Sequence, residues 1–190
     1  QEAWGPGGYY DNFSFGVGID KFCEIALMPY GNVNHNALEI GSGGGVFTEK
    51  AVWNFKTLTA IDVIKKPARF DKFPASFTYI ELPDKSTDCP SIEDNSIDFA
   101  YSFNLFCHLS NEALCEYLKS INKALKHGAD FVFMLSDSRH TSKFQKGNLG
   151  DLLQMGHFVQ DLRTLDIIVG KEWEIVNKDL LPDHRDIVVH

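Results

Sequence analysis

The order of apolar segments along the chain predicts an α/β fold, a single domain in which a mostly parallel sheet is covered by helices on both faces. Three observations predict it. Five short apolar runs alternate with helix-like stretches, the arrangement that yields parallel strands joined by helical crossovers. A glycine-rich segment follows the first run directly and opens a helical stretch. The chain then ends on two strand-like runs joined by a short turn. Antiparallel strands can be joined that tightly, whereas parallel neighbours need a long crossover.

Taken in order, residues 1–16 are rich in Gly, Tyr and Phe and read as an irregular arm. Ile19, Phe22, Cys23, Ala26 and Leu27 then form a helical stripe within Ile19–Met28, ended by Pro29 and Gly31. Residues 1–30 are thus an arm and helix ahead of a core over 37–190. Ala37–Ile40 is a buried strand in outline, closed by Gly41. Phe47–Phe55 reads as a helix, Leu58–Val63 as a second strand and Phe77–Leu82 as a third. A polar loop with Asp84, Asp88, Glu93 and Asp94 separates these from a fourth strand, Ile97–Phe103.

The clearest helix follows. Ser110 is placed to cap it and Glu112 sits in its first turn, where a negative charge meets the positive end of the helix dipole. Leu114, Leu118, Ile121 and Leu125 make its buried stripe, and Lys126, His127 and Gly128 have the character of a helix end. Phe131–Leu135 is a fifth strand. Asp137–Asn148 is polar, and Leu149 to about Val169 is helical in character but interrupted by Gly156. Glu174–Leu181 and Ile187–His190 complete the pattern as two strands around Pro182–Asp186.

With 190 residues, 44% of them hydrophobic, the chain can bury a sizeable core. It has no apolar run of the roughly 18 residues a membrane span needs. Its opening stretch lacks the basic region and apolar run of a signal peptide. The net charge of −8 would on average repel a phosphate backbone, which argues against a nucleic-acid partner. Cys23, Cys89, Cys107 and Cys115 form no C-x-x-C pair, so neither a zinc site nor a disulfide framework is expected. Unpaired thiols fit a reducing, cytoplasmic setting.

The chemistry is concentrated in Leu38–Phe47, where a strand ends, the backbone turns and a helix begins. In an open α/β sheet, ligands bind outside the carboxyl ends of the strands, where the strand order reverses. A dinucleotide fingerprint would need glycine at 41, 43 and 46, but residue 46 is Val46. A phosphate-binding P-loop would need Gly-Lys-Ser/Thr after four spacers, and none occurs. The pattern present is E-x-G-x-G-x-G over Glu39, Gly41, Gly43 and Gly45. A carboxylate at the strand tip suits a ligand with a cationic ammonium group and would oppose a pyrophosphate.

On these residues the chain resembles a class I (Rossmann-like) S-adenosylmethionine-dependent methyltransferase over nearly its whole length. The resemblance implies a seven-stranded sheet in the order 3-2-1-4-5-7-6 with the last strand antiparallel. It implies that Glu39 faces the ammonium side of S-adenosylmethionine, while Gly41, Ser42 and Gly43 pass beneath the methionine and ribose. Asp62, 21 residues after Gly41, takes the place of the acid that accepts hydrogen bonds from the ribose hydroxyls, with Val63 beside the adenine. Asp88 and Cys89, before the fourth strand, are the candidates for the adenine amine. The stretch Asp94–Phe103 resembles the fourth-strand motif of the family, so that Ser102, Phe103 and Asn104 border the sulfonium and its methyl group. The product would be S-adenosylhomocysteine.

Methyl transfer to a hydroxyl gains from a general base, by about 10²–10⁴-fold. His108 follows the fourth strand and is the first candidate, with pocket lining or helix capping as its structural alternative. Asp137 and His140 follow the fifth strand at the same edge. His157 and His184 are weaker candidates. Arg139, His140, Lys143 and Lys146 make a basic loop able to hold an anionic acceptor, or merely a solvated one. Trp4, Tyr9, Tyr10, Phe13 and Phe15 could close as a lid, or simply pack on the sheet.

The compact size points to a small-molecule acceptor, a metabolite or sugar-like compound methylated on oxygen or nitrogen, with no metal, membrane or nucleic-acid partner. Methylation of nucleic-acid bases is disfavoured by the absence of an N/D-P-P-Y/F signature. The competing reading is a non-catalytic partner protein that binds S-adenosylmethionine or S-adenosylhomocysteine. The remaining alternative, a nicotinamide dehydrogenase, is disfavoured by Val46 and the terminal hairpin. The oligomeric state is not legible in the sequence.

Overall fold

The computed structural model describes residues 20–83, 86–87, 89, 91–136, 170–176, 178–180 and 186–189. Seven strands lie in one sheet: β1 (Asn32–Ile40), β2 (Phe55–Asp62), β3 (Phe77–Glu81), β4 (Ile97–Ser102), β5 (Leu125–Ser136), β6 (Lys178–Leu180) and β7 (Asp186–Val189). They are ordered β3-β2-β1-β4-β5-β7-β6. The first five pair in parallel, and β7 runs antiparallel to both β5 and β6. The α/β Rossmann-like reading therefore holds, with five parallel strands as its body.

Alternation along the central strands splits the core in two, because successive side chains leave a strand on opposite faces. Leu38, Ile40, Ile61 and Ala100 face one layer, built by Leu114, Tyr117, Leu118 and Ile121 of the helix α2 (Asn111–Ala124). Ala37, Leu58, Phe99 and Tyr101 face the other. There Phe22, Ala26 and Leu27 pack beside Phe47 and Ala51 of the short helix α1 (Val46–Ala51). The segment before β1 is helical from Asp20 and widens to a π-helix over Cys23–Leu27. No helix among the described residues is long and apolar enough to cross a membrane.

The polar residues at the start of β1 are stitched to the neighbouring strands. Asn36 donates its backbone N–H to Asp98 Oδ2 (2.9 Å) and its side-chain amide to the Ser96 carbonyl, and accepts from Thr57 Oγ1 (2.9 Å). Lys126 in turn donates to Asp98 Oδ1 at 2.6 Å. These bonds draw β1 out to Asn32, well before the Ala37 start that apolar character alone predicts.

Other boundaries differ for physical reasons. The helix expected over Phe47–Phe55 ends at Ala51, and Phe55 is already in β2, where its ring is buried against Phe99. Val63 lies past the end of β2. Ser110 caps α2 as expected, its Oγ accepting from the Ala113 N–H. Gly128, however, does not end that helix. The chain leaves α2 directly into β5 at Leu125, which pairs with Ile97, and Gly128 takes φ +76° where the β4–β5 register shifts. Glu174–Val176 form no strand, and β6 is confined to Lys178–Leu180. The arm at 1–16, the polar stretch Asp137–Asn148, the helix read from Leu149 and the turn at Pro182 lie outside the described residues.

Candidate active site

The chain runs from β1 outward to β2 and β3, then returns across the sheet to β4. The connections leave β1 on opposite sides and open a crevice above its carboxyl end. A cavity of about 330 Å³ occupies that crevice. The glycine turn forms one wall (Gly41–Gly44, then Val46 and Phe47), and Asp62, Val63 and Ile64 at the end of β2 form a second. Phe103, Asn104, Leu105 and His108 after β4 form the third.

The turn is tight because its backbone is used on both sides. Gly41 N–H reaches back to the Ile61 carbonyl at 2.9 Å, and Gly45 N–H bonds the Ser42 carbonyl at 2.9 Å. Gly43 and Gly45 both hold left-handed backbone, with φ +52° and +85°, and face different surroundings. A Cβ on Gly43 would meet nothing within 4 Å, so its backbone is bare to the cavity. A Cβ on Gly45 would lie 2.2 Å from Phe70 Cε1, so that glycine lets the aromatic turn Ala68–Lys72 close against the loop.

Asp62 is tied into the same frame. Its Oδ2 accepts from Gly43 N–H at 2.6 Å and its Oδ1 from Ile64 N–H at 3.2 Å. Burial pushes its carboxyl up, and the backbone donors of Gly43, Ile64 and Val63 pull it back in part. Outside it, Tyr79 OH donates to the Ile64 carbonyl at 2.5 Å, and the Tyr79 ring packs on Phe70 with centroids 5.3 Å apart. Gly43, Asp62, Ile64, Tyr79, Phe70 and Gly45 therefore form a closed bracing ring around one end of the cavity.

Glu39 lies beneath the turn and is not among the residues lining the cavity. It is 3% exposed, on the face of β1 that meets α1 and Phe22. Burial lifts its carboxyl to about 7, against the opposing pull of the nearby Thr48 and Tyr101 hydroxyls, and the Asp62 charge adds to the rise. Its Oε2, Thr48 Oγ1 and Tyr101 OH are all buried and complete no hydrogen bond among the described residues. Ser42, on the cavity wall, likewise has a buried hydroxyl with no partner among the described residues.

The structure thus gathers Gly41, Ser42, Gly43, Asp62, Val63, Phe103 and His108 at one cavity, with Glu39 immediately behind it. Two expected residues do not belong there. Ser102 is fully buried and its hydroxyl donates to the Ile40 carbonyl at 2.8 Å, which ties β4 to β1. Cys89 sits away from the crevice, where its backbone N–H donates to Ser120 Oγ of α2 at 2.7 Å. Asp88, Asp137 and His140 lie outside the described residues. Sequence reasoning missed Tyr79, Phe70, Tyr101 and Thr48. Their importance comes from neighbours far along the chain, and no local spacing signals it.

A crevice at the switch point of the sheet, floored by a glycine turn and edged by an acid at the tip of the next strand, agrees with the class I methyltransferase arrangement that the sequence resembles. The sequence profile of a family described as a methyltransferase domain matches residues 20–171, and the chain belongs to that family. A protein from Pyrococcus horikoshii OT3 shares the fold at a TM-score of 0.71 and 15% identity, over 95% of this chain and 96% of that one. The N-methyltransferase NodS from Bradyrhizobium japonicum WM9, solved in complex with S-adenosyl-L-homocysteine, aligns at 0.68 and 19% identity over 94% of this chain and 87% of its own. An S-adenosylmethionine-dependent methyltransferase from Mesorhizobium loti aligns at 0.66 and 13% identity, over 95% and 98%. At these identities the likeness establishes the fold. No curated protein matches the sequence.

Proposed function

We propose that this chain transfers a methyl group from S-adenosylmethionine to the oxygen or nitrogen of a small-molecule acceptor. The observation that carries the reading is the cavity itself: bare glycine backbone, an anchored carboxylate and apolar walls meet at the carboxyl ends of β1, β2 and β4. Its donor set fits the cofactor. Gly43 leaves open space where a side chain would stand, and the Ser42 hydroxyl, with no partner among the described residues, sits on the wall. Asp62 still has lone pairs for ribose hydroxyls after accepting from the backbone, while Val63 and Ile64 offer an apolar surface to the adenine. Glu39 would balance the ammonium group from below.

The cofactor, when bound, supplies a methyl already activated on a positive sulfonium. The chain's own work is then alignment, since holding the reactants in line can contribute roughly 7–11 kcal/mol in the best cases. Phe103, Asn104 and Leu105 form the wall beside the expected acceptor. Asn104 is held at φ +54°, unusual for a residue with a side chain, and its Oδ1 accepts from Cys107 Sγ at 3.1 Å. His108, on the turn Phe106–His108, lines the same cavity and is the group we assign to take the acceptor's proton.

Calorimetric titration with S-adenosylmethionine, S-adenosylhomocysteine and NAD tests the cofactor. Both adenosyl compounds are expected to bind and NAD is not, and NAD binding alone would overturn the proposal. A labelled-methyl screen over metabolite pools then separates an enzyme from a passive binder.

A further inference from the structure

Below the glycine turn lies a pocket of polar groups that the methyl-transfer chemistry leaves unexplained. Glu39 from β1 and Tyr101 from β4 are register partners, side by side in the sheet, and Thr48 of α1 closes over them. Tyr101 and Thr48 are fully buried and Glu39 nearly so. Three oxygens here, Glu39 Oε2, Tyr101 OH and Thr48 Oγ1, complete no full hydrogen-bond geometry among the described residues, although both hydroxyls lie close enough to the carboxyl to favour its charged form. An ionised carboxylate in such a place costs several kcal/mol unless it is paired. The other titratable groups acting on this cluster are the Cys23 thiol, from the helix before β1, and Asp62 at the end of β2. Neither brings positive charge. Lys50 of α1 acts on Cys23, but its ammonium is paired with Asp20 at 3.5 Å, and none of the salt bridges of the described residues includes Glu39.

We propose that Glu39 is a neutral acid in the unliganded protein, and that the cationic amine of the cofactor expels its proton to solvent while the hydroxyls of Tyr101 and Thr48 turn onto the new carboxylate. Tyr101 is then a positioning residue: it touches no reacting atom but stabilises the ionised form of the acid that does the electrostatic work. This inference rests on the cofactor reading above and adds to it a proton in the binding equilibrium. The carboxyl's rise to about 7 places the effect in an accessible range. The proton must leave for the amine to pair, so affinity rises with pH and levels off above the midpoint. Between pH 6 and pH 8 the gain is about tenfold, and the protons released per ligand fall from about 0.9 to about 0.1.

The test is calorimetric titration of the full chain with S-adenosylhomocysteine from pH 6 to 8.5, in buffers of different ionisation enthalpy, so that proton release is counted directly. The wild-type protein should release about half a proton at pH 7, and Glu39→Gln should lose that release and bind with a flat pH profile. Tyr101→Phe keeps the carboxyl but removes a donor to its charged form, so the midpoint should move to higher pH. Binding without pH dependence or proton release in the wild type overturns the inference and leaves the cofactor reading standing. An unmoved midpoint in Tyr101→Phe overturns the role of the tyrosine. If S-adenosylhomocysteine binds at no pH, the functional reading falls and this inference with it.

Discussion

Gly43 and Gly45 are two residues apart, share a left-handed backbone, and should respond differently to the same substitution. In Gly45→Ala the left-handed backbone costs about 1–2 kcal/mol. The new Cβ would also stand 2.2 Å from Phe70 Cε1 and 2.9 Å from its Cζ. Phe70 cannot swing aside, because it is 3% exposed and packed against Phe73, Phe77 and Tyr79. Overpacking of this kind adds about 1–3 kcal/mol. The combined loss of about 2–5 kcal/mol corresponds to a melting temperature lower by about 4–20 °C for a domain of this size. Gly43→Ala incurs only the backbone term, with open space around its Cβ. Its melting temperature should fall by only about 2–8 °C, but its methyl enters the cavity and should weaken S-adenosylhomocysteine by about tenfold or more. Scanning calorimetry and ligand titration on the two purified variants decide the matter. Equal melting temperatures would refute the packing argument, and unchanged affinity in Gly43→Ala would remove the turn from the ligand site.

Three further outcomes are expected. Asp62→Ala removes a charged acceptor from the ribose position and should weaken S-adenosylhomocysteine by about 1.5–3 kcal/mol, roughly 10–150-fold; an unchanged dissociation constant would contradict the assignment. Tyr79→Phe deletes the bond to the Ile64 carbonyl, with a stability loss of about 0.5–1.5 kcal/mol. It should raise KM for the cofactor while leaving kcat near the wild-type value, and the reverse split in steady-state kinetics would refute its bracing role. Burial pushes the Asp98 carboxyl up, but the Lys126 hydrogen bond, the Asn36 N–H and the nearby charges outweigh it and hold the carboxyl below its usual range. A depressed folded-state pKa contributes stability above the unfolded value, near 3.9, which is lost as pH falls through the folded value. Acid unfolding below about pH 4 should therefore be less steep in Asp98→Asn than in the wild type, and identical pH profiles would show that the clamp contributes nothing.

The parts of the fold that were legible in the sequence are those set by one strand or helix at a time. The central apolar runs, the Ser110 cap and the glycine turn each carry their cause within ten residues or so. The boundaries that moved are those set by a partner. Phe55 is helix-compatible locally, yet its ring is buried against Phe99 on β4. Lys126, His127 and Gly128 read as a helix end, but Leu125 pairs with Ile97 and takes the chain straight into β5. Tertiary pairing decides such cases because the local preference at stake is only a few tenths of a kcal/mol per residue.

The site divides along the same line. The place of Asp62 at the cavity was readable because it depends on distance from the glycines along two adjacent elements. Ser102 resembled a ligand contact for the same reason, since it stands at the tip of β4. It is instead spent on the Ile40 carbonyl, holding together the two strands between which the crevice opens. Glu39 shows the sharper contrast. Its place in the motif announces a negative charge, but the motif cannot say what surrounds that charge. The surroundings are a tyrosine, a threonine and an apolar layer, which favour the neutral acid until a cation arrives. A carboxylate standing free in water would pair with an amine for little gain. One withheld from water gains far more, and the energy that keeps it protonated when alone makes it selective for a positively charged partner.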